Sequence, residues 1–161
     1  MARRPPAEAG AHRAARWIAT LCGIGLIRPA PGTWASAMVL PAAWLGPAAC
    51  LGLAAALFFA GLWAVRQLPR EGSAHDPPWV VVDEGAGQLF ALSLVPEGAP
   101  WLWVLLAFLL FRIFDIMKPG PVGWADRRKG FGWVMLDDLI AGGLAALALA
   151  LLRWIEPGGP L

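Results

Sequence analysis

From Met38 to Val65 the chain carries no charged residue. A run this long and apolar constrains the backbone before anything else is considered. Where water is excluded, its N–H and C=O groups must pair with each other, and a helix is the local way to do that. About 20 apolar residues cross a bilayer core of about 30 Å, so the run is a spanning candidate. Arg66 and Arg70 bound it on the C-terminal side. Pro41 and Pro47 near its start either kink the helix or delay it to Ala48.

The rest of the chain agrees. Hydrophobic residues make up 58% of the 161 and charged residues 15%, against about 45–50% and about 25% in soluble domains. The mean hydropathy is +0.60. This is the composition of a membrane protein or of an unusually apolar helical one. Ten Trp and no Tyr are present, several Trp near segment ends where interfacial rings sit. A net charge of +2 without basic–aromatic interleaving gives no reason to expect a nucleic-acid partner, and the sequence sets no oligomeric state.

Further helices are expected over Arg13–Ile27 (short enough to be re-entrant or interfacial), Val80–Leu94, Trp101–Met117 and Leu139–Leu152. Between them lie a Gly/Pro-dense loop at Gly23–Ser36, a polar connector at Leu68–Trp79, a turn holding a solvent-facing Glu97, and a basic loop at Val122–Lys129. The fold expected is all-α: a single compact bundle of about six helices, several of them membrane-embedded. Residues 1–10 read as a disordered, retained cytoplasmic tail, since no signal-peptide core follows the arginines. Residues 11–155 form the helical domain and 156–161 a flexible tail.

Charges fall at helix ends. Asp83 and Glu84 open one helix, with Gln88 at i+4 from Glu84. Arg112, Asp115 and Lys118 recur at i, i+3 along the end of another and share a face, and Pro119 stops that helix. Asp137 and Asp138 are placed where a helix N-terminus tolerates negative charge. Antiparallel neighbours with short turns bring these ends to one membrane face, which the Arg-rich N-terminus and basic loop mark as cytoplasmic. Five uncompensated carboxylates at about 2.5–3.5 kcal/mol each sum to roughly 12–18 kcal/mol as an upper bound, beyond the usual stability of about 5–15 kcal/mol. Something must neutralise them. Carboxylates without His or Cys favour Mg²⁺ or Mn²⁺. Arg112, Lys118, Arg127 and Arg128 are left for an anion, and acids for a metal beside cations for an anion suit metal-assisted phosphoryl chemistry.

Two other features carry chemistry. Pro31-Gly32-Thr33 and Ser36 read either as a phosphate cradle or as a helix start capped by Thr33. Cys22, Gly25 and Arg28 match C-x-x-G-x-x-R, the spacing of a cysteine-phosphatase loop, although Leu21 and Pro29 depart from that pattern. Otherwise Cys22 and Cys50 are expected to be buried free thiols. An Asp115 or Asp83 nucleophile lacks a D-x-D-x-T/V signature. A non-catalytic lipid-binding, transport or assembly protein is the competing class; it would spread charge through membrane depth.

These residues resemble the bacterial phosphatidylglycerophosphatase A family. The matching blocks are Gly25-Leu26 with Pro31-Gly32-Thr33 and Ser36; Asp76-Pro77 with Val82-Asp83-Glu84 and Gly87; Phe111-Arg112-Ile113-Phe114-Asp115 with Lys118-Pro119 and Pro121; Asp126-Arg127; and Gly130, Gly132, Asp137-Asp138 and Ala141-Gly142. Gly85 and the Gly120-Pro121-Val122 turn depart from the family pattern without removing a chemical group. The resemblance implies a Mg²⁺-dependent enzyme of the bacterial inner membrane that converts phosphatidylglycerophosphate to phosphatidylglycerol. On that reading Asp83, Glu84, Asp137 and Asp138 hold Mg²⁺, and Asp115 is ligand or general base. Gly32, Thr33, Ser36, Arg112 and Lys118 bind phosphate, and Arg127 contacts the headgroup.

Overall fold

The computed structural model describes residues 6–68, 77–128 and 130–155. Residues 1–5, 156–161, Arg70, Asp76 and Lys129, which the sequence reading used, lie outside them. Among the described residues there are seven α-helices and no strand: α1 (Pro6–Ala19), α2 (Pro31–Met38), α3 (Pro47–Gln67), α4 (Val82–Leu92), α5 (Trp101–Met117), α6 (Pro121–Asp126) and α7 (Phe131–Ile155). The all-α bundle is the one expected, with the basic loop contributing α6.

Prolines set several starts. Pro31, Pro47 and Pro121 each occupy the first turn of a helix, where the missing N–H has no partner to lose. Pro41 opens a 3₁₀ segment, Leu40–Leu45, and the long helix waits until Pro47, one residue before the expected start. At 21 residues α3 is about 31 Å long.

The central element is the short α4. Nine of its eleven residues are buried, and it packs mainly against α7 and α3. The α4–α7 crossing is built on glycine. A side chain at Gly142 would overlap the Gly87 backbone, and one at Gly87 would overlap the Asp138 carbonyl and the Phe111 ring. Small residues let helices approach this closely where burial of large side chains cannot drive association. Around this crossing the core holds many alanines, among them Ala64 and Ala86 near the start of α4 and Ala54 and Ala107 toward its far end.

Four expectations need correction. Helix α7 begins at Phe131, so Asp137 and Asp138 are its seventh and eighth residues and the helix dipole does not stabilise them. Thr33 is not a cap: Ala30, in a left-handed conformation, occupies that position, and Thr33 lies inside the first turn. Cys22 is exposed, because the chain leaves α1 through left-handed Leu21 and Cys22; only Cys50 is buried. The first helix also opens earlier than Arg13, at Pro6.

Candidate active site

Three helix ends and α2 meet at one end of the bundle. Asp83 and Glu84 form the first turn of α4. One turn further along, Gly87 crosses Gly142, so one turn back on α7 Asp138 comes to the same place. Asp83, Glu84 and Asp138 each offer a carboxylate oxygen, and these oxygens lie within 4.8 Å of one another. Asp83 and Asp138 are buried, and Glu84 is half-buried. Asp115, Glu84 and Asp137 all face Asp138. Carboxylates packed this closely and out of water must be neutralised, by protons or by a counter-charge. Burial pushes the Glu84 carboxyl above its ordinary range; its hydrogen bond with Asp83 and the charge of Arg112 pull the other way. The Glu84 Oε2 atom is buried without a hydrogen-bond partner.

The cations are arranged beside this trio. Arg112 Nη1 is 2.6 Å from Asp115 Oδ2, an i, i+3 pair that is mostly buried. The same nitrogen donates to Ser36 Oγ at 3.5 Å, and Ser36 in turn donates to the Gly32 carbonyl at 2.9 Å. The Arg112 Nε–H is buried and unpartnered. Helix α2 thus touches the site twice, since Gly32 also packs directly against the Glu84 carboxylate. Lys118 ends α5 in a left-handed conformation and so leaves the Arg112–Asp115 face. Its ammonium pairs with Asp126 and, at 3.1 Å, with Asp137. Burial alone would lower the Lys118 pKa, but the two carboxylates outweigh it and hold it above its ordinary value.

Most of the expected residues therefore converge. Gly32 and Ser36 line the site, whereas Thr33 is half-buried in the same turn. Arg127 is exposed at the end of α6 with its guanidinium against Gly123. Arg128 lies over the rings of Trp124 and Trp133 at 4.2 and 5.2 Å. Two residues went unassigned in the sequence reading. Asp126 completes the Lys118 group, and its eight-residue separation from Lys118 hid it. Gln88 is fully buried with both amide ends unpartnered, and its i+4 spacing from Glu84 was the available signal.

Cys22 is exposed on the loop that follows α1. A phosphate loop needs free N–H groups around the thiolate. Here the N–H groups of Gly23, Ile24, Gly25, Leu26 and Ile27 all bond to backbone carbonyls.

Comparison with known proteins joins this geometry to a family. The family model described as phosphatidylglycerophosphatase A matches residues 17–153. A Haemophilus influenzae protein named phosphatidylglycerophosphatase A is 35% identical over 139 residues, covering 82% of this chain and 84% of its own length. An Escherichia coli protein of the same name is 33% identical over 129 residues, covering 77% and 74%. A Bacteroides thetaiotaomicron protein, provisionally named a phosphatidylinositol-3-phosphatase, is 38% identical over 149 residues, covering 86% and 92%. No solved structure matches the chain. With the family model spanning nearly all the described helices and relatives alike along most of their length, the chain belongs to the phosphatidylglycerophosphatase A family.

Proposed function

We propose that this chain is a Mg²⁺-dependent lipid phosphatase that hydrolyses phosphatidylglycerophosphate to phosphatidylglycerol and phosphate, serving bacterial phosphatidylglycerol and cardiolipin synthesis. The observation that carries this reading is the carboxylate trio Asp83, Glu84 and Asp138, set beside Arg112 and Lys118. The donor set fits the metal: all ligand atoms are hard oxygens, and the orphaned Glu84 Oε2 is an atom a cation would take. Of the four carboxylates expected, Asp83, Glu84 and Asp138 support the metal reading most directly, while Asp137 beside them pairs with Lys118. When bound, the ion supplies positive charge to the phosphoryl oxygens and neutralises charge that builds in the transition state.

The remaining work falls to the chain. Arg112 is held by Asp115 and Ser36 through one nitrogen and presents its Nε–H to the terminal phosphate. Lys118 stays protonated between Asp126 and Asp137 and adds a second positive charge. Gly32, Thr33 and Ser36 close the phosphate site from α2, and Arg127 contacts the headgroup at the rim. Asp115 accepts the proton of the attacking water as the phosphorus–oxygen bond to glycerol breaks, and the leaving glycerol oxygen takes a proton from solvent to become the alcohol. Arg112→Lys keeps the charge but loses the fork. It is expected to lower kcat/KM about 10- to 100-fold, chiefly through KM, in a steady-state assay on detergent-solubilised lipid. Cys22→Ser is expected to stay within about twofold of the wild type, by the ordinary weakness of exposed-site substitutions; a large loss would revive the thiolate reading.

The exposed surfaces support a membrane placement. Helices Pro47–Gln67 and Gly132–Ile155 are long and apolar enough to cross a bilayer, and only 28% of the most apolar window of α3 is buried within the chain. Leu51, Phe59 and Trp63 of α3 face outward. At the end opposite the acids, Trp44, Trp101 and Trp154 are 86%, 73% and 77% exposed, and Trp17, Trp34 and Trp124 are exposed toward the site end. Tryptophans at both ends suit two interfaces about one bilayer core apart. Asp83 and Glu84 are in the first turn of α4 and Asp138 just past the second turn of α7, so the acids lie near one face: the cytoplasmic face of the inner membrane on this reading.

The relatives' names share one chemistry, a phosphomonoester on a lipid headgroup, and differ in the lipid. The test is phosphate release from phosphatidylglycerophosphate, phosphatidylinositol 3-phosphate and phosphatidate in matched micelles. A kcat/KM at least tenfold higher for phosphatidylglycerophosphate is expected. Equal or higher values for another lipid would overturn the substrate assignment.

A further inference from the structure

Gln88 is fully buried on α4, and neither end of its amide has a hydrogen-bond partner. An unpaired buried amide is costly, and native interiors resolve nearly all such groups with a partner or an ordered water. Gln88 lies one turn beyond Glu84 on the same helix face, and helical side chains lean toward the N-terminus, here toward Glu84. Two more orphaned polar atoms belong to the same region: Glu84 Oε2 and Arg112 Nε. The electrostatic contact between Glu84 and Arg112, and their contacts with Gly32 and Ser36 of α2, place Glu84 and Arg112 between α2, α4 and α5, one turn from Gln88 along α4. The inventory is complementary. Glu84 Oε2 accepts, and the Gln88 amide both donates and accepts. A single water needs two to four polar partners, and these atoms provide them.

We infer that Gln88 is a positioning residue for Glu84, holding through a bridging water the carboxylate oxygen that faces the cation. The inference rests on the metal reading of the trio and adds to it a residue from the next turn. Groups that orient metal ligands typically change metal affinity 10- to 100-fold when removed. A merely structural glutamine would act on stability instead, so the two roles separate in one experiment.

The experiment uses the purified full-length chain in detergent, with Mn²⁺ as probe. The Kd is read from the electron paramagnetic resonance of free Mn²⁺, and Tm is read in EDTA. Gln88→Met keeps the shape and removes the amide, and Gln88→Leu provides a second shape. The expected result is a Kd for Mn²⁺ raised about 10- to 100-fold with Tm in EDTA unchanged or higher, since replacing a buried amide by an apolar group of similar shape is close to neutral. A folded variant with a Kd within about twofold of the wild type, outside that range, would overturn the inference. Loss of folding in both variants would do the same, by showing a structural role. A wild-type chain that binds no Mn²⁺ would overturn the metal reading beneath it.

Discussion

Asp138→Asn is expected to lower phosphate release from phosphatidylglycerophosphate by about a thousandfold, roughly 4 kcal/mol of transition-state stabilisation. The substitution keeps the shape and removes the charge that joins α7 to the trio. Its second signature is opposite in sign. Asp138 is buried and faced by Asp115, Glu84 and Asp137, so removing its charge relieves repulsion. In EDTA the variant is expected to melt at or above the wild-type temperature. Added Mg²⁺ should raise the wild-type Tm, by linkage, and leave the variant's unchanged. Together these outcomes separate a lost ligand from a lost fold. Glu97→Gln, exposed in a distant turn, is the control and should change neither quantity. Activity within about tenfold of the wild type, under 1.4 kcal/mol, would remove Asp138 from the site.

Gly142→Val is expected to destabilise the chain by about 3 kcal/mol or more and to abolish activity with it. The added side chain meets the backbone of Gly87 rather than a side chain that could swing away. The helices would have to separate, and the same crossing brings Asp138 to Asp83 and Glu84. Thermal unfolding in detergent reads the first effect and phosphate release the second. Gly52→Ala is the counter-example. Gly52 is also helical but nothing lies within 4 Å of an added methyl, so a gain of about 0.5–1 kcal/mol is expected. A folded, fully active Gly142→Val chain would mean that the close crossing does not position the acids.

The difference between these two glycines shows what the sequence could and could not carry. The uncharged run, Pro47 and the boundaries of α5 are local features. Periodicity and proline chemistry act within one turn, and the structure follows them closely. The convergence of acids was legible too, because charge at the ends of apolar helices has few places to go. Lys118 was misplaced on the Arg112–Asp115 face, since helical spacing holds only while the helix lasts and Lys118 has already left it. Asp137 and Asp138 were read as a helix start because the apolar run is densest after them, whereas Gly132 and Trp133 extend α7 backwards. Thr33 lost the cap to Ala30, where proline at the next position and left-handed backbone outweighed side-chain preference. The pairing of Asp126 with Lys118 depends on packing between elements, which no local pattern records; for Gln88 the i+4 spacing from Glu84 is local, but the burial of its amide is not.

The central claim is that carboxylates and a divalent cation, rather than a thiolate, hydrolyse a lipid phosphomonoester. The most direct measurement is phosphate release from phosphatidylglycerophosphate by the purified chain in detergent, with Mg²⁺, with EDTA, with Mg²⁺ restored, and after thiol alkylation. Release that requires Mg²⁺, returns when it is restored and survives alkylation is the predicted result. Release that persists in EDTA and is lost on alkylation would contradict the account and transfer the chemistry to Cys22.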